Sequence, residues 1–482
     1  MDAQAPTGAP GRGGAARIVV IGGGLCGAAF ALHLLRDHPR LAAEVAVIEP
    51  RARLGAGLAY STDEATYRIN VASSRMLVMP EDETHFDRWL RARNEAARDP
   101  AALLDDGRLY PARATFGIYF DELVRAAAAA VRDGPRLVHV RARAVGVAPL
   151  AGGGYVITLD DGARREADFV VLAVGHPPPG LPAALAPVAD HPAMLADPWD
   201  GARLRAVAPG ASVLVVGTGL TGCDVIAGLL ARGHRGPIRA VSRRGLLPRP
   251  RTTRPVTAYG DFATAPARTA LALLRRVRRT IDAGAAGDQP WEGAVDQLRI
   301  QGPEIWAALP HAERLRLLRH LRAFWDVHRF QCAPQVIDAV AAGQATGQVR
   351  IGAARLADAH PAGAALHVTL RTRGAAVPEE MLADAVVNCT GPDQGRAIDA
   401  IPVLASLAAQ GRLRPDPCGL GIAVDTHGRV LGPGDVPAPD LFVAGPLARG
   451  TYGELMGLPR VSLQPREVAA DIAGLLTARL PA

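Results

Sequence analysis

Two short glycine-rich segments carry the strongest chemical signal in the chain. The first reads Arg17-Ile-Val-Val-Ile-Gly22-Gly-Gly24-Leu-Cys-Gly27, and the second Val213-Leu-Val-Val-Gly217-Thr-Gly219-Leu-Thr-Gly222. In each, an apolar run short enough for a buried strand leads into GxGxxG and then into an alanine- and leucine-rich stretch of helical character. That order is what nucleotide binding requires. The first glycine permits a tight turn, the second lets the backbone approach a pyrophosphate, and the third lets the helix pack on the strand. Free N–H groups at the helix start meet the negative charge.

The residues at the end of the next strand differ between the two segments. Val45-Ala-Val-Ile-Glu49 ends in a carboxylate, whereas Ile238-Arg-Ala-Val-Ser242-Arg243-Arg244 ends in two guanidinium groups. A carboxylate accepts hydrogen bonds from free ribose hydroxyls and repels a 2′-phosphate; arginine forks bind one. The first site therefore reads as FAD, held by Gly22, Gly24, Gly27 and Glu49. The second reads as NADPH, held by Gly217, Gly219, Gly222, Arg243 and Arg244.

These loops demand an α/β fold of two Rossmann-like dinucleotide-binding domains, the second inserted in the first, with a helical insertion. The segmentation is an N-terminal disordered tail over 1–16, a first FAD-binding part over 17–200, an NADPH-binding domain over 201–375 and the FAD domain's return over 376–482. Gly57 lies in a glycine-containing loop, Arg51 to Tyr60, that follows Glu49. Three apolar runs stop at a glycine where the chain can turn close to a nucleotide: Val170 to Gly175, Ala385 to Gly391 and Asp440 to Gly445. A Pro-rich passage between Gly175 and Gly217 reads as a linker. Helical spacing of Leu271, Leu274, Val277 and Ile281, and of Leu317, Leu321, Phe324 and His328, places the helical insertion over 262–345, where it would cover the flavin.

At 482 residues and 49% hydrophobic, the chain can bury more than one core. Its formal charge of +7 is carried by arginine, since no lysine occurs. The densest basic stretch, Arg243 to Arg254, begins where a 2′-phosphate site is expected, so no nucleic-acid partner is implied. None of the five cysteines forms a CxxC or CxxxxC pair. This removes the motif of a flavoprotein disulfide reductase and argues against a metal site or an extracellular disulfide framework. The apolar stretch from Ile18 to Leu35 reads as strand-turn-helix rather than as a membrane span, which leaves a cytoplasmic, soluble protein as the expectation. GxSxG, HExxH and Walker motifs are absent.

Further stretches carry a family resemblance: Gly55-Ala-Gly-Leu-Ala-Tyr60 with Arg68-Ile-Asn70-Val, Ser242-Arg-Arg-Gly-Leu-Leu-Pro248, Trp325-Asp-Val-His-Arg329, Asn388-Cys-Thr-Gly391-Pro and Gly445-Pro-Leu-Ala-Arg-Gly450. With the two glycine loops, they resemble the FAD/NAD(P)-binding flavoprotein monooxygenases, most closely the bacterial family containing a flavin-dependent urate hydroxylase and an aspartate N-oxygenase. Two departures stand out. The FxGxxxHxxxW fingerprint of broader flavin monooxygenases has only a loose echo in His191 and Trp199, which weakens a Baeyer–Villiger assignment. Gly445 is followed by Pro446 rather than by the acid that contacts the ribityl chain in many FAD enzymes.

The resemblance implies NADPH reduction of FAD, dioxygen as co-substrate, and oxygen transfer through a C4a-(hydro)peroxyflavin to a small polar nitrogenous substrate, urate ranking first and amino-acid N-oxidation second. An NADPH-dependent reductase passing electrons elsewhere and a non-catalytic flavin-binding redox sensor are the alternatives. Asn70, His328 and Arg329 are the candidate catalytic residues. Asn70 could hydrogen-bond the flavin or cap a turn, and His328 could serve as acid, base or donor or be a structural histidine. Arg329 could bind an anionic substrate or lie on the surface. Arg449 and Glu454 fall on the C-terminal loop expected near the flavin.

Overall fold

In the computed structural model, which describes residues 14–478, the run before the first glycine loop is strand β1 (Ala16–Ile21), followed by helix α1 (Leu25–Asp37) and strand β2 (Ala43–Ile48). The tail expected over 1–16 lies, up to residue 13, outside the described residues. β1 and β2 pair in parallel from Ala16↔Ala43 to Ile21↔Ile48. A parallel pair cannot be closed by a tight turn, so α1 supplies the crossover. The strand's period of two divides β1 between two cores. Ile18 and Val20 join Phe30 and Leu32 of α1, while Val19 and Ile21 join Ile157 and Leu404 on the other face. Both faces are covered, which is why β1 reads as continuous apolar sequence rather than alternation.

Helix α2 (Arg113–Ala130) and strand β3 (Arg136–Val140) follow. An antiparallel meander comes next, made of β4 (Ala144–Pro149), β5 (Tyr155–Leu159) and β6 (Arg164–Ala167), and then β7 (Phe169–Leu172) pairs in parallel with β1. The chain leaves this sheet at Gly175. Strands β8 (Met194–Leu195) and β9 (Val213–Val216), helix α3 (Leu220–Ala231) and strand β10 (Ile238–Ser242) begin a second unit. There Val213 and Val215 face one core, and Leu214 and Val216 the other. A helical block occupies the crossover from β10 to β11 (Val349–Ala362). It comprises α4 (Ala270–Ala286), α5 (Trp291–Ile300), α6 (Gly302–Ala308), α7 (His311–His320), α8 (Arg322–Arg329) and α9 (Pro334–Ala345).

Strands β12 (Ala365–Thr372) and β13 (Glu379–Ala383) extend β11 as an antiparallel arm, and β14 (Ala385–Asn388) inserts between β9 and β8. The boundaries expected at 200/201 and 375/376 therefore fall inside the second unit. β8 and β14 pair there with strands remote in sequence, and nothing local announces such pairing. Strands β15 (Arg429–Leu431) and β16 (Pro437–Val443) return to the first sheet, whose order is β15-β16-β7-β1-β2-β3, and α10 (Arg460–Ala478) packs on α1. The fold is thus α/β with two Rossmann-like sheets, the second inserted in the first. No helix among the described residues is long and apolar enough to cross a membrane.

Two kinds of contact hold the units together. The crossings touch each other through a bridge between Pro179 and Pro392, with the Asp393 N–H donating to the Pro178 carbonyl at 3.2 Å. Elsewhere Arg113, at the start of α2, pairs with Asp224 of α3 at 2.6 Å, and its guanidinium lies 5.8 Å from the Trp199 ring. Asp224 is 3% exposed, and burial raises its pKa to about 6 against the opposing pull of Arg113. The Trp306 indole of α6 donates to the Gly450 carbonyl at 2.7 Å, tying the helical block to the C-terminal loop.

His33 locks α1 to α10. Its Nε2 is 3.0 Å from the Ser462 hydroxyl, which itself donates to the Val78 carbonyl at 2.8 Å, so the ring is the donor. Burial lowers its pKa from 6.5 to about 4. A lowered histidine pKa means that the unfolded chain takes up the proton first, so stability is present above pH 6.5 and is lost as pH falls toward 4. The full loss is roughly 3 kcal/mol. Denaturant unfolding of wild type and His33→Gln across this window should show a difference that shrinks as the pH falls. A difference that does not change with pH would refute the assignment.

Candidate active site

The first glycine loop is fixed by contact with the neighbouring strand. Gly22 has φ 99°, and a side chain there would strike the Ala173 carbonyl just beyond β7; one on Gly27 would strike the Gly22 carbonyl. Glu49 is buried, with Oε2 accepting from the Gly23 N–H at 3.1 Å and Oε1 from the Arg51 backbone N–H and guanidinium, each at 3.1 Å. Gly57 crosses directly over Gly24, where an added Cβ would lie 3.0 Å from the Gly24 Cα. Gly445, with φ 107°, packs on Cys26 in the first turn of α1, and its N–H donates to Gln464 at 2.8 Å. Glu49, Gly57 and Gly445 thus converge on the start of α1. This glycine cradle, which side chains would fill, with a carboxylate at its edge, fits the adenosine diphosphate part of FAD.

The second loop repeats the plan. A side chain on Gly217 would strike the Cys389 carbonyl just beyond β14, one on Gly222 would strike the Gly217 carbonyl, and Gly219 faces open space. The buried Thr218 hydroxyl donates to the Leu246 carbonyl at 2.6 Å and shares a 2.8 Å hydrogen bond with Ser242, whose oxygen accepts from the Gly245 N–H at 2.9 Å. The segment carrying the two arginines is thereby tied onto the glycine loop. Arg243 is exposed, with no side-chain partner among the described residues, whereas the Arg244 guanidinium lies 4.9 Å from the Phe324 ring and 3.4 Å from the His320 carbonyl. The pair fits a 2′-phosphate, with Arg243 the freer of the two.

The two crossings touch each other and border an open space, the cleft. Gly175 and Gly391, each with positive φ, face open space. His176 is accessible to solvent, yet desolvation, with a smaller push from Arg449, lowers its pKa to about 4. Its Nδ1 is 2.9 Å from Gln394 Nε2, an arrangement in which the neutral ring accepts at Nδ1 and keeps Nε2–H as a donor. Gln394 Oε1 is buried without a partner. Burial also pushes the Cys26 thiol and the Tyr60 phenol up to about 12, so both stay neutral. Arg449 is 4% exposed and donates through Nε to the Gly453 carbonyl at 3.1 Å; burial and then Arg322 lower its pKa.

The candidate catalytic residues separate. Arg329 reaches this region, its Nε and Nη2 each 3.2 Å from Glu454 Oε1, and both side chains are nearly buried. His328, next along α8, points about 100° away around the helix. Its Nδ1 is 2.7 Å from the Phe324 carbonyl and its ring stands edge-on to Trp291 at 5.0 Å, so it packs α8 against α5. The Asn70 carbonyl accepts from Arg251 Nε at 3.0 Å, and its half-buried side chain hydrogen-bonds no described residue. His176 and Gln394 went unnoticed as site residues in the sequence. The signal for His176 was its place directly after the strand-ending Gly175; Gln394 had none.

The family described as FAD-NAD(P)-binding matches residues 19–177. No curated protein matches the chain. Among solved structures, the chain is similar to the reduced ornithine hydroxylase PvdA of Pseudomonas aeruginosa, with 16% identity and TM-score 0.63 over 97% of this chain and 100% of that one. It is also similar to the L-lysine 6-monooxygenase of Pseudomonas syringae, with 18% identity and TM-score 0.60 over 97% and 100%. A third is the ornithine N-hydroxylase KtzI of Kutzneria sp. 744 with reduced FAD, NADP+ and L-ornithine, with 16% identity and TM-score 0.58 over 95% and 99%. At these identities the likeness is one of fold. The shared architecture is a pair of Rossmann-like sheets, the second inserted in the first.

The different settings of the two arginines give a graded expectation. Arg243→Gln should raise the KM for NADPH about ten- to a hundredfold, the worth of a charge-assisted contact, while the KM for NADH stays nearly unchanged. Arg244→Gln should have a smaller effect because its guanidinium is already shared with the helical block. Steady-state NADPH and NADH oxidation would measure both, and equal losses for the two coenzymes would reject the 2′-phosphate site.

Proposed function

We propose that the protein is an NADPH-dependent FAD monooxygenase that hydroxylates a nitrogen of a small amine. The observation that carries the reading is the presence of two nucleotide cradles, one with a free arginine for a 2′-phosphate, each packed on the strand from which one of two touching crossings starts. When bound there, FAD supplies the acceptor for the NADPH hydride and the activation of dioxygen.

The chain's own contribution is to bind, orient and exclude water. The N–H groups that open α1 and α3 would hold the pyrophosphates, Glu49 the ribose of FAD, and Arg243 with Arg244 the 2′-phosphate. His176 keeps a proton on Nε2 at the cleft and Gln394 fixes its orientation. Because its pKa is near 4, the ring stays a neutral donor throughout the physiological range. A nitrogen that is to accept oxygen must present its lone pair. Arg449 and Arg329 beside the cleft favour the neutral amine over the ammonium ion.

Urate, the first candidate on sequence, gains no support from the ornithine and lysine enzymes of like fold, and these favour an amine. The test is anaerobic reduction of the purified FAD-loaded protein by NADPH, followed by isotope-labelled dioxygen with a panel of amines and urate. Labelled oxygen on an amine nitrogen is the expected result. Reduction followed by peroxide release with every compound would favour the electron-transferring reductase. Failure of NADPH to bleach the flavin would favour a redox sensor.

A further inference from the structure

We propose that the antiparallel arm of the second unit carries a binding site for a divalent transition metal ion of the imidazole-preferring kind, with His360 of β11 and His367 of β12 as its two protein ligands. It is independent of the monooxygenase chemistry.

The register of the arm brings the two histidines together. His360 lies directly opposite His367 and Asp358 opposite Thr369, and on the far side of β12 Thr369 lies opposite Glu380 of β13. Side chains alternate between the faces of a strand. Leu366, Val368 and Leu370 therefore turn into the core, while His367 and Thr369 share the outer face with His360, Asp358 and Glu380. Two rows result, the imidazoles in one and Asp358, Thr369 and Glu380 in the next. The rings are 4.8 Å apart, centroid to centroid, and 29° from parallel.

The acid row decides which nitrogen is free. His360 Nδ1 is 3.1 Å from Asp358 Oδ2, and His367 Nδ1 is 3.7 Å from Glu380 Oε2, which also accepts from the Thr369 hydroxyl at 2.7 Å. A neutral ring whose Nδ1 faces a carboxylate keeps its proton there and its lone pair on Nε2. Neither Nε2 bonds a described residue, and both lie on the side away from the acids. A carboxylate behind each ring and a free nitrogen in front is the arrangement that orients histidine ligands and raises their basicity. The next pair on this face, Ala362 and Ala365, adds little bulk. His191 accepts the Ala193 N–H at Nδ1, at 3.2 Å, and its Nε2 is 3.3 Å from the Gly363 carbonyl, so this third histidine holds the hairpin tip and is no ligand.

No group of three or more ligating side chains gathers among the described residues. The ion would therefore keep solvent in its remaining positions. Imidazole donors favour Zn2+, Cu2+ or Ni2+ over the oxygen-seeking Mg2+ and Ca2+. With zinc–nitrogen bonds of roughly 2 Å, two rings on one tetrahedral ion place their centroids about 5 Å apart. The present spacing of 4.8 Å suits that once the exposed His360 tips its Nε2 toward His367. Filling the site would staple β11 to β12.

Zn2+ is the probe, titrated calorimetrically into the tag-free, FAD-loaded protein. The expected result is saturable binding of one ion per chain, lost in His360→Ala and in His367→Ala and weakened about tenfold or more in Asp358→Asn. Binding should be kept in His427→Ala, which alters a surface histidine paired with Asp471 outside the arm. The unfolding temperature should rise with Zn2+ in the wild type and in His427→Ala but not in the two arm variants. Cu2+ in place of Zn2+ should show the electron-spin signature of two imidazole nitrogens. FAD content identifies any alanine variant that fails to fold, and His360→Gln or His367→Gln then stands in for it. Absence of saturable binding, binding that survives both arm substitutions, or equal occupation by Mg2+ would overturn the proposal. NADPH reduction of the flavin is read separately and bears on the monooxygenase alone.

Discussion

Both nucleotide cradles depend on one kind of contact: a glycine lying directly against the carbonyl end of a neighbouring parallel strand. Gly22 lies on Ala173 beyond β7, and Gly217 on Cys389 beyond β14. Those are also the strands from which the chain leaves the first unit and returns to it. A side chain at either glycine would displace the loop from the strand and move the adjoining crossing with it. The same contact therefore sets the shape of the phosphate site and the starting point of the link between units. It is also why His176 and Gln394, far apart in sequence, meet at 2.9 Å.

Arginine takes every place that lysine could fill, and the structure uses what a guanidinium offers over an ammonium. Its delocalised charge tolerates partial burial, and its planar fork makes several directed bonds. Arg68, 7% exposed, grips both oxygens of Asp99 at 2.7 and 3.0 Å and also donates to the Tyr110 carbonyl at 2.9 Å. Arg113 does similar service between the units, bonding Asp224 and the Arg68 carbonyl while it lies over aromatic rings. Buried pairs of this kind are weak evidence for net stability because desolvation offsets attraction. Their consequence here is geometric, since losing one partner would leave a buried charge between α2 and α3.

Legibility in the sequence followed the range of the interactions. The glycine loops, Glu49 and Arg243 could be read because each depends on a strand, a turn and a helix that are contiguous in the chain. The paired sheets and the inserted second unit followed from the repetition of that pattern. The limits of the second unit did not, because β14 pairs with β9 and β8 pairs only with β14, partners far apart in sequence. His328 illustrates a different limit. Helical spacing put it on the apolar face of α8 but could not reveal that the face meets Trp291 of α5. Arg251, Arg299 and Arg75 were ordinary arginines in an arginine-rich chain until folding brought them around Asp296.

Burial has opposite electrostatic consequences for two sets of residues. Around His176, Cys26 and Tyr60, desolvation shifts each pKa toward the neutral form, downward for the imidazole and upward for the thiol and phenol. From about pH 4 to about pH 12 these three groups contribute hydrogen-bonding dipoles and no net charge. Around Arg251 and Arg299 the same desolvation works against groups too basic to yield their protons near neutrality, so the charge persists and is only partly answered by Asp296 and Glu454. Desolvation thus leaves one set of residues polar and uncharged and the other cationic.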